Sequence, residues 1–288
     1  MVWSVAAEGA CIATANTNPY DVCIGGRMNL KRLVVLCAVY AVLALPSESW
    51  AAHPLITDDS GTQGKGKFQL EVNGQYDSDK ETVAFVSVKS TGGQANSTLS
   101  YGINDNADLV LNVPYVWGKI TEDGVKVYDE KGISDTTFEV KWRFLEKEGL
   151  SFALKPGISF PTGNDDKGLG TGKYGYHVFL IGSKEAAPWA FHANLGYIRN
   201  ETRADVEEKN IWHISVATTY EVVKDLKLVG NVGMEKNPDK SADNDPAFFI
   251  VGAIYSLTEN LDIDAGVKHG LTSSETDRSL MAGLTYRF

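Results

Sequence analysis

The side chains that could carry acid–base or nucleophilic chemistry are four histidines, together with a serine that could pair with one of them. His177, His192, His213 and His269 stand in separate segments of the chain. A Ser–His pair such as Ser215 with His177 would be the minimum for a serine hydrolase. Neither a G-x-S-x-G elbow nor an H-E-x-x-H zinc motif is present. The sequence therefore predicts no catalytic residue and no enzyme.

Two further patterns could bind ions or phosphate. Gly163–Gly172 is glycine-rich, but it lacks the Gly-Lys-Ser/Thr ending and the following helix of a phosphate-binding loop, so we interpret it as a flexible loop. The acidic residues in polar stretches match no calcium loop and are typical of a solvated rim. They are Asp165, Asp166, Asp205, Glu207, Glu208, Asp239, Asp243 and Asp245. We expect no metal and no cofactor, and the net charge of −10 argues against a nucleic-acid partner.

The N-terminal region has the features of an export signal. After Met28, the basic residues Lys31 and Arg32 precede an apolar stretch, Leu33–Leu45, that is too short to span a bilayer. A small-residue cleavage pattern ends at Ala51. We therefore predict a signal peptide at residues 28–51, an upstream extension or leader at 1–27, a periplasmic segment at 52–64 and the folded domain at 65–288. The last cysteine is Cys37, so disulfides are not expected in the folded domain.

From Lys65 onward, apolar and polar residues alternate with a period of two, which predicts β-strands. Polar connections alternate between short and long, and the runs between them number about 12. The long connections are predicted at Asp77–Thr82, Ile120–Lys131, Thr162–Thr171, Asn200–Lys209, Asn237–Asp245 and Thr272–Asp277. This places all long loops at one end of a sheet and all tight turns at the other.

A water-soluble β-sandwich and an outer-membrane barrel both use alternating strands, and aromatic placement favours the barrel. Tyrosine, tryptophan and phenylalanine concentrate at strand ends, as in the two interfacial girdles of a barrel. The chain ends within a strand at Tyr286 and Phe288, which is typical of the signal read by the barrel-assembly machinery. We predict an all-β fold, a transmembrane antiparallel up-and-down β-barrel, in the outer membrane of a Gram-negative cell.

Charged residues on the polar phase of these strands are candidates for the barrel lumen. They are Lys67, Glu71, Glu139, Lys141, Arg143, Lys155, Lys227, Asp262, Asp264, Lys268 and Arg287. One hypothesis is that they line a narrow polar pathway and set its selectivity. The other is that they pair with one another and close the interior without conducting.

Three segments resemble a known family. His53–Glu71 is similar to the "(D)D-x-G-T-x-G-x-G" opening of outer-membrane proteins linked to the meta-pathway of phenol degradation. Leu109–Tyr115 resembles that family's "L-x-V-P-W/Y" strand, and Lys155–Gly163 resembles its "K-x-x-x-x-x-P-T-G" strand and loop.

The resemblance implies an outer-membrane barrel that carries small hydrophobic or aromatic compounds by passive uptake or efflux. The expected partners are such solutes, outer-membrane lipid with lipopolysaccharide, and the barrel-assembly machinery. The alternatives are a structural barrel with surface-binding loops and an outer-membrane lipid hydrolase.

Overall fold

A computed structural model describes residues 53–83, 85–201 and 207–288. The predicted leader at 1–27 and signal peptide at 28–51 lie outside these ranges. The described strands are β1 (Phe68–Val83), β2 (Val86–Asn104), β3 (Ala107–Glu122), β4 (Val125–Ile133), β5 (Thr136–Lys147), β6 (Leu150–Phe160), β7 (Gly175–Ala186), β8 (Trp189–Arg199), β9 (Asn210–Val223), β10 (Leu226–Glu235), β11 (Ala247–Thr258), β12 (Leu261–Gly270) and β13 (Arg278–Arg287). A single 3-10 turn, Asp165–Lys167, interrupts the loop after β6. No helix within the described ranges is long and apolar enough to cross a membrane.

All strands pair antiparallel, and the sheet closes on itself because β1 pairs with both β2 and β13. β3 pairs with β5 over Ala107–Asn112 and with β4 over Tyr115–Glu122. β4 and β5 therefore occupy one position in the wall and form a single interrupted strand. The result is a closed, 12-strand, antiparallel barrel, which confirms the predicted fold class.

The strand alternation separates a lipid-facing surface from the interior. In β9, Ile211, His213 and Ser215 are buried inside, whereas Trp212 and Ile214 are exposed on the outer wall. The same alternation runs around the barrel, and the exposed large apolar side chains form its outer surface.

The interior is less polar than the alternation predicted. Phe179, Ile181, Ile198 and Ile211 pack with Ala153 in one buried cluster on the inner wall. A water-filled pore would expose these apolar side chains to water, which costs roughly 25 cal/mol per Å² of apolar surface. The interior must therefore be filled in part by protein.

The two ends of the barrel differ as predicted for most of the circumference. Two-residue turns join the strands at one end, as at 148–149 and 224–225. At the other end, residues 161–174, 236–246 and 271–277 form longer connections, and residues 200–201 and 207–209 lie between β8 and β9. In outer-membrane barrels the tight turns face the periplasm and the long loops face outward.

Two predicted long loops are wrong. Asp77–Thr82 lies in β1, and most of Ile120–Lys131 lies in β3 and β4. Strand pairing continues to Val83–Val86 in one hairpin, and the Asp123–Gly124 turn closes the other with both residues at positive φ. These residues are polar because the hairpins extend beyond the barrel rim into water. We call residues 77–83, 86–92 and 117–131 of β1 to β4 the projecting sheet.

Candidate functional site

The central feature of the interior is the N-terminal segment, which crosses the lumen before β1 begins. We call residues His53–Ser60 the plug. Pro54, Leu55, Thr57, Asp58 and Ser60 are all almost completely buried. These residues belong to the segment predicted to be periplasmic, 52–64, and its sequence does not predict that they enter the barrel.

A buried ion-pair cluster fixes the plug to the β5–β6 wall. The two carboxylate oxygens of Asp58 each lie 2.9 Å from an ammonium group, one of Lys141 and one of Lys155. Lys155 also lies 3.7 Å from Glu139, which hydrogen-bonds to His177 at 2.7 Å. Both lysines are therefore neutralised by a residue of the plug rather than only by the wall.

The charge on Asp58 is maintained by these lysines. Burial raises the pKa of the Asp58 carboxyl, but the ammonium groups of Lys141 and Lys155 lower it by more. The net pKa lies below the ordinary value of 3.8. Asp58 is consequently ionised at neutral pH, and each lysine has an anionic partner.

Side chains of the wall satisfy the backbone of the plug. Asn231 Oδ1 accepts hydrogen bonds from the amides of Ile56 at 2.7 Å and Thr57 at 3.0 Å. With its amide atoms placed to match their partners, Asn194 accepts from the Asp58 amide at 2.7 Å and donates to the Asp58 carbonyl at 2.9 Å. A buried loop without such partners would be costly, because each unsatisfied group loses its bonds to water.

Apolar contacts complete the fit. Leu55 packs in a cluster with Ala217 and Val229, and Ile56 packs against Phe248 and Met281. These wall residues lie at inward-facing positions of their strands, where they would face a polar lumen if the plug were absent. The apolar residues of the plug and of the wall therefore cover each other.

Glycine makes room for the start of the plug. A Cβ atom on Gly266 would come within 2.8 Å of Pro54, so the wall of β12 approaches the plug too closely for a side chain at this position. Next to Pro54, the imidazole of His53 hydrogen-bonds to the Asp264 carboxylate, and both residues are buried. The plug is thus held at two opposite walls, by Asp58 at β5–β6 and by His53 at β12.

A cavity of about 90 Å³ lies inside the barrel between the plug and the long-loop end. Ile56, Phe248 and Met281 supply its apolar surface. The buried side-chain oxygens of Asn73 and Asn96 have no hydrogen-bond partner among the described residues, and both asparagines line the cavity. The remaining lining is polar and comprises His53, Gln75, Gln94, Thr98, His213, Glu235, Lys268 and Glu275, with Leu55, Gly74 and Pro246.

The predicted lumen residues fall into three groups. Buried in the interior are Glu71, Glu139, Lys141, Lys155, Asp264 and Lys268. Partly buried toward the tight-turn end are Arg143, Asp262 and Arg287, and exposed are Lys67 and Lys227. The interior members are brought together mainly by the plug and by loops, as in the 2.9 Å pair of Lys268 with Glu275. That they line a conducting pathway stays a prediction.

Glu71 differs from the other buried carboxylates. It is 1% exposed, and neither of its carboxylate oxygens has a hydrogen-bond partner within the described part of the chain. It shares a small cavity with Asp58, Lys141 and Lys155. Glu71 is thus an additional carboxyl group beside two lysines that already pair with Asp58.

The histidines are paired differently from the pair considered in the sequence analysis. His177 bonds to Glu139, while Ser215 Oγ lies 2.9 Å from His213 Nε2. His213 Nδ1 lies 3.2 Å from Glu235, and the Thr57 hydroxyl donates to Ser215 at 2.8 Å. Across residues 53–83, 85–201 and 207–288, no three His, Cys, Asp or Glu side chains converge as metal ligands.

The C-terminal residues complete the closure of the barrel. The backbone of Phe288 exchanges hydrogen bonds of 2.8 and 3.0 Å with Phe68 at the start of β1. The ring of Phe288 stacks on those of Phe68 and Tyr286 at centroid distances of 5.5 and 5.7 Å. Tyr286 and Phe288 are exposed on the outer wall at the tight-turn end.

Comparison with known proteins gives structural and family matches. The chain is similar to the NanC porin, with a TM-score of 0.50 and 12% identity over 75% of this chain and 98% of that one. The KdgM porin gives a TM-score of 0.49 at 12% identity over 76% and 99% of the two chains. The translocator domain of the autotransporter NalP from Neisseria meningitidis gives 0.47 at 12% identity over 78% and 89%. At this identity, the NanC likeness shows the outer-membrane barrel fold and nothing further.

No curated protein sequence matches the chain significantly. A family model does match, over residues 57–288, and it includes the second half of the plug together with the whole barrel. This agrees with the resemblance seen in the sequence motifs. The chain belongs to the family described as "Putative MetA-pathway of phenol degradation".

Proposed function

We propose that the protein is an outer-membrane channel or transporter for passive uptake or efflux of small hydrophobic or aromatic compounds, held closed by its plug. It would reach the outer membrane after cleavage of the predicted signal peptide. The barrel-assembly machinery would recognise its last strand through Tyr286 and Phe288.

The observation that carries this proposal is the cavity between the plug and the long-loop end. Its apolar side consists of Ile56, Phe248 and Met281. Asn73 and Asn96, whose buried side-chain oxygens have no hydrogen-bond partner among the described residues, line the same space. A small solute with an apolar body and one hydroxyl donor matches both features.

The size of the cavity connects solute binding to the plug. An apolar cavity that holds benzene has a volume of roughly 150 Å³, and the cavity here measures about 90 Å³. A single-ring solute therefore needs Ile56 or its neighbours in the plug to move. Binding favours the displaced plug, because a ligand shifts an equilibrium toward the state that it binds better.

A reversible lock on the plug tests this mechanism. Ser60 Oγ and Ser151 Oγ are 2.6 Å apart, so the S60C/S151C variant places two thiols within bonding reach, and the chain has no cysteine after Cys37. In liposomes that contain the oxidised variant, we expect phenol and toluene entry to fall to the protein-free rate and to recover on reduction. The S60C variant is the matched control and should respond to neither treatment.

Two results would contradict the proposal. Solute entry that is the same in the oxidised and reduced variants would show that the plug does not control passage. Unchanged uptake and growth of deletion cells across a broad panel of aromatic carbon sources would refute transport and favour a structural barrel whose loops bind surface partners.

A hydrolase is the second candidate, and one set of contacts favours it. Ser215, His213 and Glu235 form a continuous hydrogen-bonded chain with the nucleophile–base–carboxylate order of a serine hydrolase. Thr57 covers Ser215 in the closed state, so the site would need an open plug. If this is correct, a fluorophosphonate probe should label a plug-deleted variant and should not label the same variant with S215A. Absence of labelling in the plug-deleted variant would exclude the hydrolase.

A further inference from the structure

The outward face of the projecting sheet is basic, although the whole chain carries a net charge of −10. The strand register places five lysines and a single acidic residue, Asp129, on this face between positions 76 and 131. The lysines are Lys80, Lys89, Lys119, Lys126 and Lys131, and all are exposed.

The register defines their positions row by row. Trp117 pairs with Lys131, and in the next outward row Lys119 pairs with Asp129. One row further, Lys80 and Lys89 lie directly opposite each other. Like charges in directly opposed positions destabilise a sheet, so this pair calls for an anion nearby.

The opposite face of the same sheet has the opposite charge. It carries Asp77, Asp79, Glu81, Glu122 and Glu130 and no lysine, around the buried pair Val88 and Ile120. The two faces are therefore sorted by sign. Exposure of both faces to water would not by itself explain why the lysines and the carboxylates lie on opposite faces.

Lys119 lies at the height of the lipid headgroups, and Lys80 and Lys89 lie a few ångströms further out. Tyr76 and Trp117 share the outward row at the edge of the aromatic girdle, where the hydrocarbon layer ends. Lys119 is two residues beyond Trp117, and Lys89 is in the next row outward. At 3.4 Å per residue and a strand tilt near 40°, Lys119 lies about 5 Å and Lys89 about 10 Å above the girdle. Headgroup layers extend roughly 5–8 Å beyond the hydrocarbon.

Among the described residues, Lys80, Lys89 and Lys119 form no ion pair with a carboxylate, whereas Lys126 pairs with Asp129 at 2.8 Å. Given the outer-membrane orientation of the proposed function, this end faces the outer leaflet, whose main lipid carries phosphates on its sugar headgroup. We propose that Lys80, Lys89 and Lys119 bind the phosphate groups of lipopolysaccharide from the lipid side of the barrel.

The test compares matched triple variants of the full chain in detergent. K80Q/K89Q/K119Q removes the proposed site, and K147Q/K224Q/K227Q removes three exposed lysines at the tight-turn end. Binding of bis-phosphorylated lipid A is measured beside dephosphorylated lipid A and inorganic phosphate. We expect the first variant to bind bis-phosphorylated lipid A at least about tenfold more weakly than wild type, and the second to bind like wild type.

Heat-modifiable mobility on gels verifies that each variant folds, and single substitutions replace the triple variant if it does not. Equal binding by K80Q/K89Q/K119Q and wild type, or equal losses in both triple variants, would overturn the proposal. So would wild-type binding of dephosphorylated lipid A with the same affinity, or competition by inorganic phosphate at the concentration of the lipid. Solute entry is measured in parallel, and its failure in wild type would refute transport without affecting the lipid site.

Discussion

Replacing Asp58 by asparagine should release the plug. The substitution keeps the size of the side chain but removes the charge shared by Lys141 and Lys155, which lie 2.9 Å from its two oxygens. Breaking a buried ion pair by removing one partner costs about 3–5 kcal/mol, because the remaining charge stays buried without compensation. Here two ammonium groups remain, both nearly inaccessible to water, and they keep only the longer contacts of Lys155 with Glu139 at 3.7 Å and of Lys141 with Asp59 at 3.8 Å.

A cost of that size shifts the ratio of open to closed plug by about 100- to 5,000-fold. The assay is labelling of a cysteine introduced at Ile56 by a water-soluble maleimide, together with single-channel conductance in planar bilayers. In the Asp58→Asn background, the thiol should react at a rate near that of an exposed thiol. In the otherwise wild-type chain it should be protected.

Asp59→Asn is the matched control, because Asp59 is 32% exposed and lies 3.8 Å from Lys141. We expect at most a fewfold increase in labelling from it. Protection of the thiol and absence of openings in the Asp58→Asn variant, at wild-type level, would refute the conclusion that this ion-pair cluster holds the plug.

Three other changes test separate parts of the same structure. Acidification should open the plug only below about pH 4. Because the pKa of Asp58 is lowered on folding, the contribution of Asp58 to the stability of the closed plug is complete above the ordinary pKa of 3.8 and is lost as pH falls through the lowered pKa. Conductance that rises already between pH 7 and 5 would contradict this. Asn231→Ala removes the acceptor of two plug amides, and each buried donor left unsatisfied costs roughly 1–3 kcal/mol. Labelling of the cysteine introduced at Ile56 should therefore increase by at least about tenfold. Protection equal to wild type would show that these hydrogen bonds are dispensable. Glu71→Gln removes a buried carboxyl group that has no hydrogen-bond partner among the described residues. The temperature at which the barrel unfolds, read from the heat-induced shift in gel mobility, should therefore rise. A lower unfolding temperature would show that the carboxyl group is needed.

The barrel was predictable from sequence because its physics is local and repeated. Alternation such as Trp212–His213–Ile214–Ser215 follows from the two-residue period of a strand, and lipid on one side fixes which phase is apolar. Loop positions were less predictable. Polar residues of a strand in water, such as Asp79 and Lys80, have the same composition as a loop, and only the backbone pairing distinguishes them.

The plug was not predicted because it has no periodicity. Its contacts connect residues far apart in the sequence, such as Asp58 with Lys141 and Thr57 with Ser215, and no local pattern encodes them. One signal was present in the chain. Leu55 and Ile56 are consecutive apolar residues in a segment assigned to the periplasm, where nothing would cover them.

The composition of the inner wall matches the closed barrel that the structure shows. Val229, Phe248 and Met281 occupy inward positions that a permanently open pore would expose to water, and Leu55 and Ile56 of the plug cover them. The same wall supplies Asn231 and Asn194 at the positions where the plug backbone needs hydrogen bonds. A wall selected only to conduct would need neither feature. Because Ile56 of the plug lines the cavity together with Asn73 and Asn96, a residue that closes the barrel is also one that the proposed solute would meet first.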